Sequence, residues 1–168
     1  YNMLYECEEM AELLAHKIPD MTQLSKSGDE KTAKLYFFVK LVYTTWTQHC
    51  YALLEYKYRV SNREWVRRNW IDPIEFSFLL EPMRMAVRSR LPLDLIRYVY
   101  YQICKCIDLG INIIAHDNKK AKFRGDILRI IAAPTKDVIP DMTLDIYREI
   151  VDSYLDEGDT QNALIFCK

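Results

Sequence analysis

Two short stretches hold residue types that do nucleophilic or metal chemistry. Cys104-x-Cys106, with His116 downstream, has the ligand types of a zinc site. Residues two apart on a helix face nearly opposite sides, and structural zinc takes two such pairs at spacings a loop permits. These cysteines therefore read as packing residues. His49-Cys50 sets a base beside a thiol. Adjacent helical residues diverge by about 100 degrees, so the two cannot bond each other directly. Cys50 also falls on an apolar stripe, which makes it a core residue. His16 and His116 stand at expected element ends, where solvated or capping histidines are common. No phosphate loop, GxGxxG, GxSxG or HExxH pattern occurs. No catalytic residue, metal or cofactor is expected.

The charged residues carry more information. Asp145, Glu149, Asp152 and Asp156 recur at helical spacing and form an acidic ridge opposite Ile146, Ile150 and Val151. The plain reading is a solvated face; the functional one is a docking ridge for a basic partner. The net charge is −1, but it is segregated. Residues 57–97 carry nine Lys or Arg against five acids, and the last 32 residues carry eight acids against two bases. Arg63 and Arg67 share a helix face with Arg68 beside them, and Arg84 and Arg88 share another. Lys119, Lys120, Lys122 and Arg124 form a second basic cluster. Trp65 and Trp70 interleave with arginines as stacking platforms do in single-strand binders. The plain reading makes the tryptophans core and pairs the arginines with acidic segments, within the fold or between copies. A dedicated nucleic-acid module usually carries a clear positive charge, and this chain does not.

The elements that position these residues read as helices. The chain has 168 residues, half of them hydrophobic, and only four glycines. That suits one domain with a sizeable core and long helices, not a sandwich or barrel. Residues 2–16 read as an acidic amphipathic helix ended by Pro19, and residues 19–28 as a loop. Asp29 can cap a helix running to Arg59. Its stripe is Leu35, Val39, Val42, Trp46, Cys50, Leu53 and Tyr56 or Lys57, widened by Phe37, Phe38, Leu41, Tyr43 and Leu54. A helix apolar over most of its circumference is expected to be central and buried on most sides. A short helix over 62–70 follows, then a start at Asp72-Pro73-Ile74-Glu75. Pro82 is expected to kink or split that helix. Further helices are expected over 93–109, closed by Gly110, over 119–133, and from Thr143 to about Gly158. Asp159 or Thr160 caps the last one. Residues 111–115 are ambiguous between helix and short strand.

Both ends read as cuts within a longer protein: residue 1 is Tyr, and the chain stops in an apolar run. No stretch reaches the roughly 18 apolar residues of a membrane span, and no signal peptide opens the chain. Five cysteines, odd in number and irregularly spaced, fit a reducing intracellular compartment, cytoplasm or nucleus.

The string Ile-Pro-Asp-Met-Thr occurs at residues 18–22 and again at 139–143. Either both copies open helices, where Pro, Asp and Thr are favoured, or they mark a decayed repeat. After the second copy come Tyr147, Ile150-Val151, Tyr154, Gly158-Asp159 and Ala163-Leu164. This run resembles a pentatricopeptide repeat, and it shares much with tetratricopeptide helix pairs. Lys26-Ser27-Gly28-Asp29 with Ala33 and Leu35 resembles the turn and second helix of another unit. The resemblance covers about 30 residues at the C-terminal end and about 15 near the N-terminal end. It implies a helical-repeat-like fold. RNA readers of that family carry a small polar residue just after the early tyrosine, where this chain has Arg148.

The sequence thus predicts an all-α fold, a helical-repeat-like array or bundle of seven to nine helices in a single domain over 1–168. The expected function is a non-enzymatic protein-interaction or scaffold domain, its partner another protein or a second copy in a homo-oligomer, with no membrane partner. The alternative is an RNA-binding helical-repeat module that contacts phosphates through the basic residues named above.

Overall fold

The computed structural model describes residues 2–61, 76–114, 120–135 and 140–166; for residues 2, 58–61, 111–114, 120–123 and 140–141 it describes the backbone alone. Among the described residues every regular element is helical, with seven α-helices and two 3₁₀ turns. The expected helix at 62–70 and its Asp72-Pro73 successor start lie outside the described residues.

The acidic spacing at the start gives α1 (Asn2–Lys17). Its Cys7 and Ala11 are buried, while Glu6, Glu9 and Glu12 face solvent. Lys17 closes it, a cation at the negative end of the helix dipole. The first Ile-Pro-Asp-Met-Thr copy then forms a 3₁₀ turn, Met21–Gln23, capped by Asp20, whose carboxylate accepts the Thr22 N–H at 3.0 Å. Asp29 caps α2 (Glu30–Ser61) as its type predicts, accepting the Thr32 N–H at 2.7 Å. At 32 residues, α2 spans about 48 Å.

Pro82 does not split its helix. The α3 helix (Ser77–Arg88) runs through it. Proline at 82 leaves the Phe78 carbonyl without its i+4 donor. The thiol of Cys50 on α2 donates to that oxygen at 3.4 Å. The gap in one helix is thus filled from its neighbour. At its end Leu91 N–H returns to the Ala86 carbonyl at 3.2 Å, with Arg90 left-handed at φ 57°. A non-glycine residue there sends no glycine signal in the sequence.

Gly110 does not close the next helix either. The α4 helix (Leu93–Ile114) continues through it, which also removes the strand option for 111–114. Gly110 packs against Leu54 of α2, and a Cβ at that position would run into the Leu54 side chain. The glycine serves a close approach of two helices. The α5 helix (Lys120–Ala132) passes into the second 3₁₀ turn, Ala133–Thr135. The α6 helix (Pro140–Asp156) starts at its proline, three residues before the expected Thr143. Residues 140–143 of the second copy are therefore the first turn of a long helix, unlike the first copy. In both the methionine is buried, Met21 and Met142. Gly158, at φ 74°, makes the turn into α7 (Thr160–Ile165), capped by Asp159 through the Asn162 N–H at 3.2 Å.

Side-chain pairs give the helix directions. Tyr36 bonds Asp94 and Thr44 bonds Tyr98, and Leu54 meets Gly110, so α2 and α4 run the same way. Arg97–Asp145 and Tyr100–Glu149 set α4 and α6 in the same sense. Arg124–Ser153 and Thr135–Thr143 set α5 against α6. Helices α1, α3 and α5 touch in order, as do α2 and α4; α7 packs on α6. Consecutive helices thus fall into two rows over one core, in which Tyr43, Trp46, Leu54, Met83, Ile103 and Ile127 are fully enclosed.

The α2 helix departs from expectation in one respect. It is central, but it is not buried on most sides. Phe37, Phe38, Leu41 and Tyr56 stay exposed.

The Cys50–Phe78 contact is testable by a double-mutant cycle. Cys50→Ala should destabilise the chain by about 1–3 kcal/mol in chemical denaturation. In a Pro82→Ala background, where residue 82 regains its N–H, the same change should cost about 0.5–1 kcal/mol less.

Candidate interaction site

The acidic ridge divides between the inside and the outside of the fold. Asp145 accepts from Arg97 of α4 at 3.4 Å and lies 3.7 Å from Arg148. Glu149 accepts from the Tyr100 hydroxyl and lies 3.7 Å from the Arg124 guanidinium. Asp152 and Asp156 face solvent. Arg124 is drawn into the same seam. Its Nε donates to Asp108 at 2.7 Å and its Nη1 to the Ser153 hydroxyl at 3.4 Å. Burial works against the Arg124 charge, but Asp108 and then Glu149 more than offset it, and its pKa rises. Burial, with Cys104 and Glu149 as neighbours, pushes the Tyr100 hydroxyl far above its usual range. This seam ties α4, α5 and α6 together.

The other basic candidates are scattered. Arg84 pairs with Glu81 of its own helix at 2.8 Å, and Arg88 donates to the Met85 sulfur at 3.3 Å; both are exposed. Arg63, Arg67, Arg68 and Lys119 lie outside the described residues, as do Trp65, Trp70 and His116. Lys120 and Lys122 fall in α5, where only the backbone is described. The structure therefore brings together Arg124, Glu149 and Asp108, and sets Arg84 and Arg88 on a different helix.

The thiols are enclosed. Cys7, Cys50, Cys104 and Cys106 are free and buried. Burial pushes Cys104 and Cys106 up to about 12 and raises Cys50 well above its ordinary value. At neutral pH these four are protonated, and thiols are poor nucleophiles. Cys50 and His49 diverge as the helix requires: Cys50 points to α3 and His49 lines a groove on the other side. No group of three metal-ligating side chains converges among the described residues. Among the described residues the Tyr43 hydroxyl is buried without a hydrogen-bond partner in normal geometry; Ser89 and Arg88 are its polar neighbours.

That groove is a concave feature formed by described residues of two helices. It lies between the start of α1 and the second half of α2, and holds about 440 Å³. Met3, Leu4, His49, Ala52, Leu53 and Tyr56 line it. By helical spacing its apolar surface continues along the same side through Met10 and Leu13 of α1 and Phe38 and Leu41 of α2, all exposed. Met3 is 48 % and Leu41 59 % accessible. Sequence periodicity assigned Phe38 and Leu41 to a widened core stripe. The signal available was the width of that stripe, greater than the neighbouring helices cover.

Neither a known protein family nor a curated protein nor a solved structure matches this chain. Among the described residues no helix is long and apolar enough to cross a membrane.

The seam predicts unequal effects along the ridge. Glu149→Ala should cost about 1–2 kcal/mol, because the buried Tyr100 hydroxyl and Arg124 both lose an acceptor. Asp152→Ala should stay within about 0.5 kcal/mol. Denaturant titration of the two variants distinguishes them.

The thiols predict an alkaline limit. Their ordinary pKa is 9.0, and Cys104 and Cys106 reach only about 12 when folded. Below pH 9 both states hold the proton and stability is full. Between pH 9 and 12 the unfolded chain loses protons that the folded chain keeps, so stability falls by about 1.4 kcal/mol per pH unit for each thiol. In denaturation curves over that range, Cys106→Val should lower the slope by one proton.

Proposed function

We propose that this chain is a non-enzymatic protein-interaction domain built from stacked helical hairpins, with its docking face on the outer side of α1 and α2. The observation that carries this is the distribution of apolar surface. Large hydrophobic side chains lie open beside a groove on one face, whereas the described cysteines are enclosed. Contiguous exposed apolar surface beside a groove marks interaction sites more often than chance allows. The alternating helix directions and the two rows support a coarse likeness to pentatricopeptide or tetratricopeptide arrays. The buried, free cysteines support a reducing compartment.

The RNA-binding alternative rests on Arg84 and Arg88 among the described side chains. Arg124 is committed to Asp108 and Glu149, and releasing it would open the α4–α5–α6 seam. Arg148, in the position where that family reads a base, is exposed and paired with Asp145.

Leu41→Lys tests the docking reading. Leu41 is more than half exposed, so the variant should melt within about 0.5 kcal/mol of the native chain. Proteins captured by the native chain and lost from Leu41→Lys, compared quantitatively, are the expected result. Labelled RNA binding that survives Leu41→Lys, weakens in Arg84→Ala/Arg88→Ala and falls steeply with salt would favour the alternative.

A further inference from the structure

We infer that the occupant of the α1–α2 face is an amphipathic helix of a protein partner whose apolar stripe is flanked by lysine or arginine, seated with its basic part over the groove between Met3 and Tyr56. The inference rests on the docking reading above and adds the chemistry of what docks.

Charge around the groove supplies the sign. From Asn2 to Ala15, α1 carries four glutamates and neither lysine nor arginine. Helical spacing puts Glu6 between Met3 and Met10 on the open side, with Glu9 beside it, and both are exposed. The lysines of α2 nearest the groove turn elsewhere. Lys40 sits over the Tyr98 ring of α4 at 4.5 Å, and Lys57 sits over the Phe78 ring beyond α3's start at 5.9 Å. Among the described side chains, the groove end of the face is thus apolar at its centre and acidic at its rim. Lys17, Lys31 and Lys34 lie toward the opposite end, where Lys34 pairs with Glu30 at 3.0 Å. A partner helix fits best with its cations gathered at one end. Methionines at positions 3 and 10 suit such a surface, because their flexible chains adapt to the helix laid on them.

A second copy stacked head to tail fits worse. The opposite end of the array also exposes apolar residues, Leu155, Leu164 and Ile165. It carries Asp152 and Asp156 beside them, and these would face Glu6 and Glu9. Like charges opposed across an interface disfavour it.

Fluorescence anisotropy tests the inference with a designed amphipathic peptide. The probe is a helix with a leucine stripe flanked by lysines, and the comparison is the same helix with each lysine replaced by glutamate. The leucine–lysine peptide should bind about tenfold more tightly or better, and less so as salt rises. Ala52→Lys, which puts a long cation into the groove from an exposed helix position, should weaken it by about tenfold. Glu6→Lys/Glu9→Lys should erase the preference between the peptides. Circular dichroism should show both variants folded. Equal binding of the two peptides, lost in Ala52→Lys, overturns the basic partner and leaves the docking reading intact. A concentration-dependent dimer abolished by Ala52→Lys, with neither peptide bound, gives the face to a second copy and overturns the inference alone. Peptide binding that Ala52→Lys leaves unchanged overturns the inferred seat. Neither peptide bound and no dimer formed overturns both the inference and the reading beneath it.

Discussion

The α2 helix must satisfy three neighbours at once, and its stretch from Tyr43 to Leu54 is where it does so. Cys50 reaches α3 and supplies the hydrogen that Pro82 denies to Phe78. Leu54 reaches α4 at Gly110, where only a glycine leaves room. Trp46 and Tyr43 fill the space between with rings 5.7 Å apart. A proline in one helix, a glycine in another and a small thiol in a third are thus parts of one packing solution. Each is a defect for an isolated helix. Together they let three helices lie closer than standard side chains would allow. The rest of the array is built outward from that crossing: α6 registers on α4 through Asp145 and Glu149, and α5 closes on α6 where Gly125 meets Ser153 and Tyr154.

This explains which features were legible in the sequence. Local signals were. Asp29 caps α2, Gly158 turns the chain and Asp159 caps α7, because each acts on its own backbone within three residues. The helical class and the central place of α2 followed from periodicity. Non-local signals were not. Gly110 looks like a helix stop because its neighbour sequence cannot show Leu54 fifty-six residues earlier. Pro82 looks like a break because Cys50 is thirty-two residues away. The acidic ridge looks uniform because spacing alone cannot tell that α4 presents Tyr100 and Arg97 to two of its four members. Periodicity also says that Phe38 and Leu41 are apolar, not whether a neighbour covers them. The candidate site was therefore present in the sequence as excess core, and only the arrangement of helices separates surplus from core.

The same arrangement bears on the choice of partner. Arginine that serves a phosphate backbone must be free to leave its intramolecular partners. Arg124 is not: it is half-buried, charge-paired with two carboxylates and hydrogen-bonded to Ser153. Removing it from the seam would strand Asp108 and Glu149. Arg97 likewise sits on Asp145. The segregation of charge along the sequence thus resolves in part into pairs across the fold, Arg97 of α4 and Arg124 of α5 against Asp145 and Glu149 of α6. Among the described side chains, what remains unmatched on the groove side is negative, at Glu6 and Glu9. In a chain whose net charge is −1, Arg97 and Arg124 are paired within the fold and this rim is left acidic. An anionic ligand would meet repulsion there, and a cationic helix would not. Apolar area gives such a complex most of its affinity, and the two glutamates set its direction and its discrimination between partners.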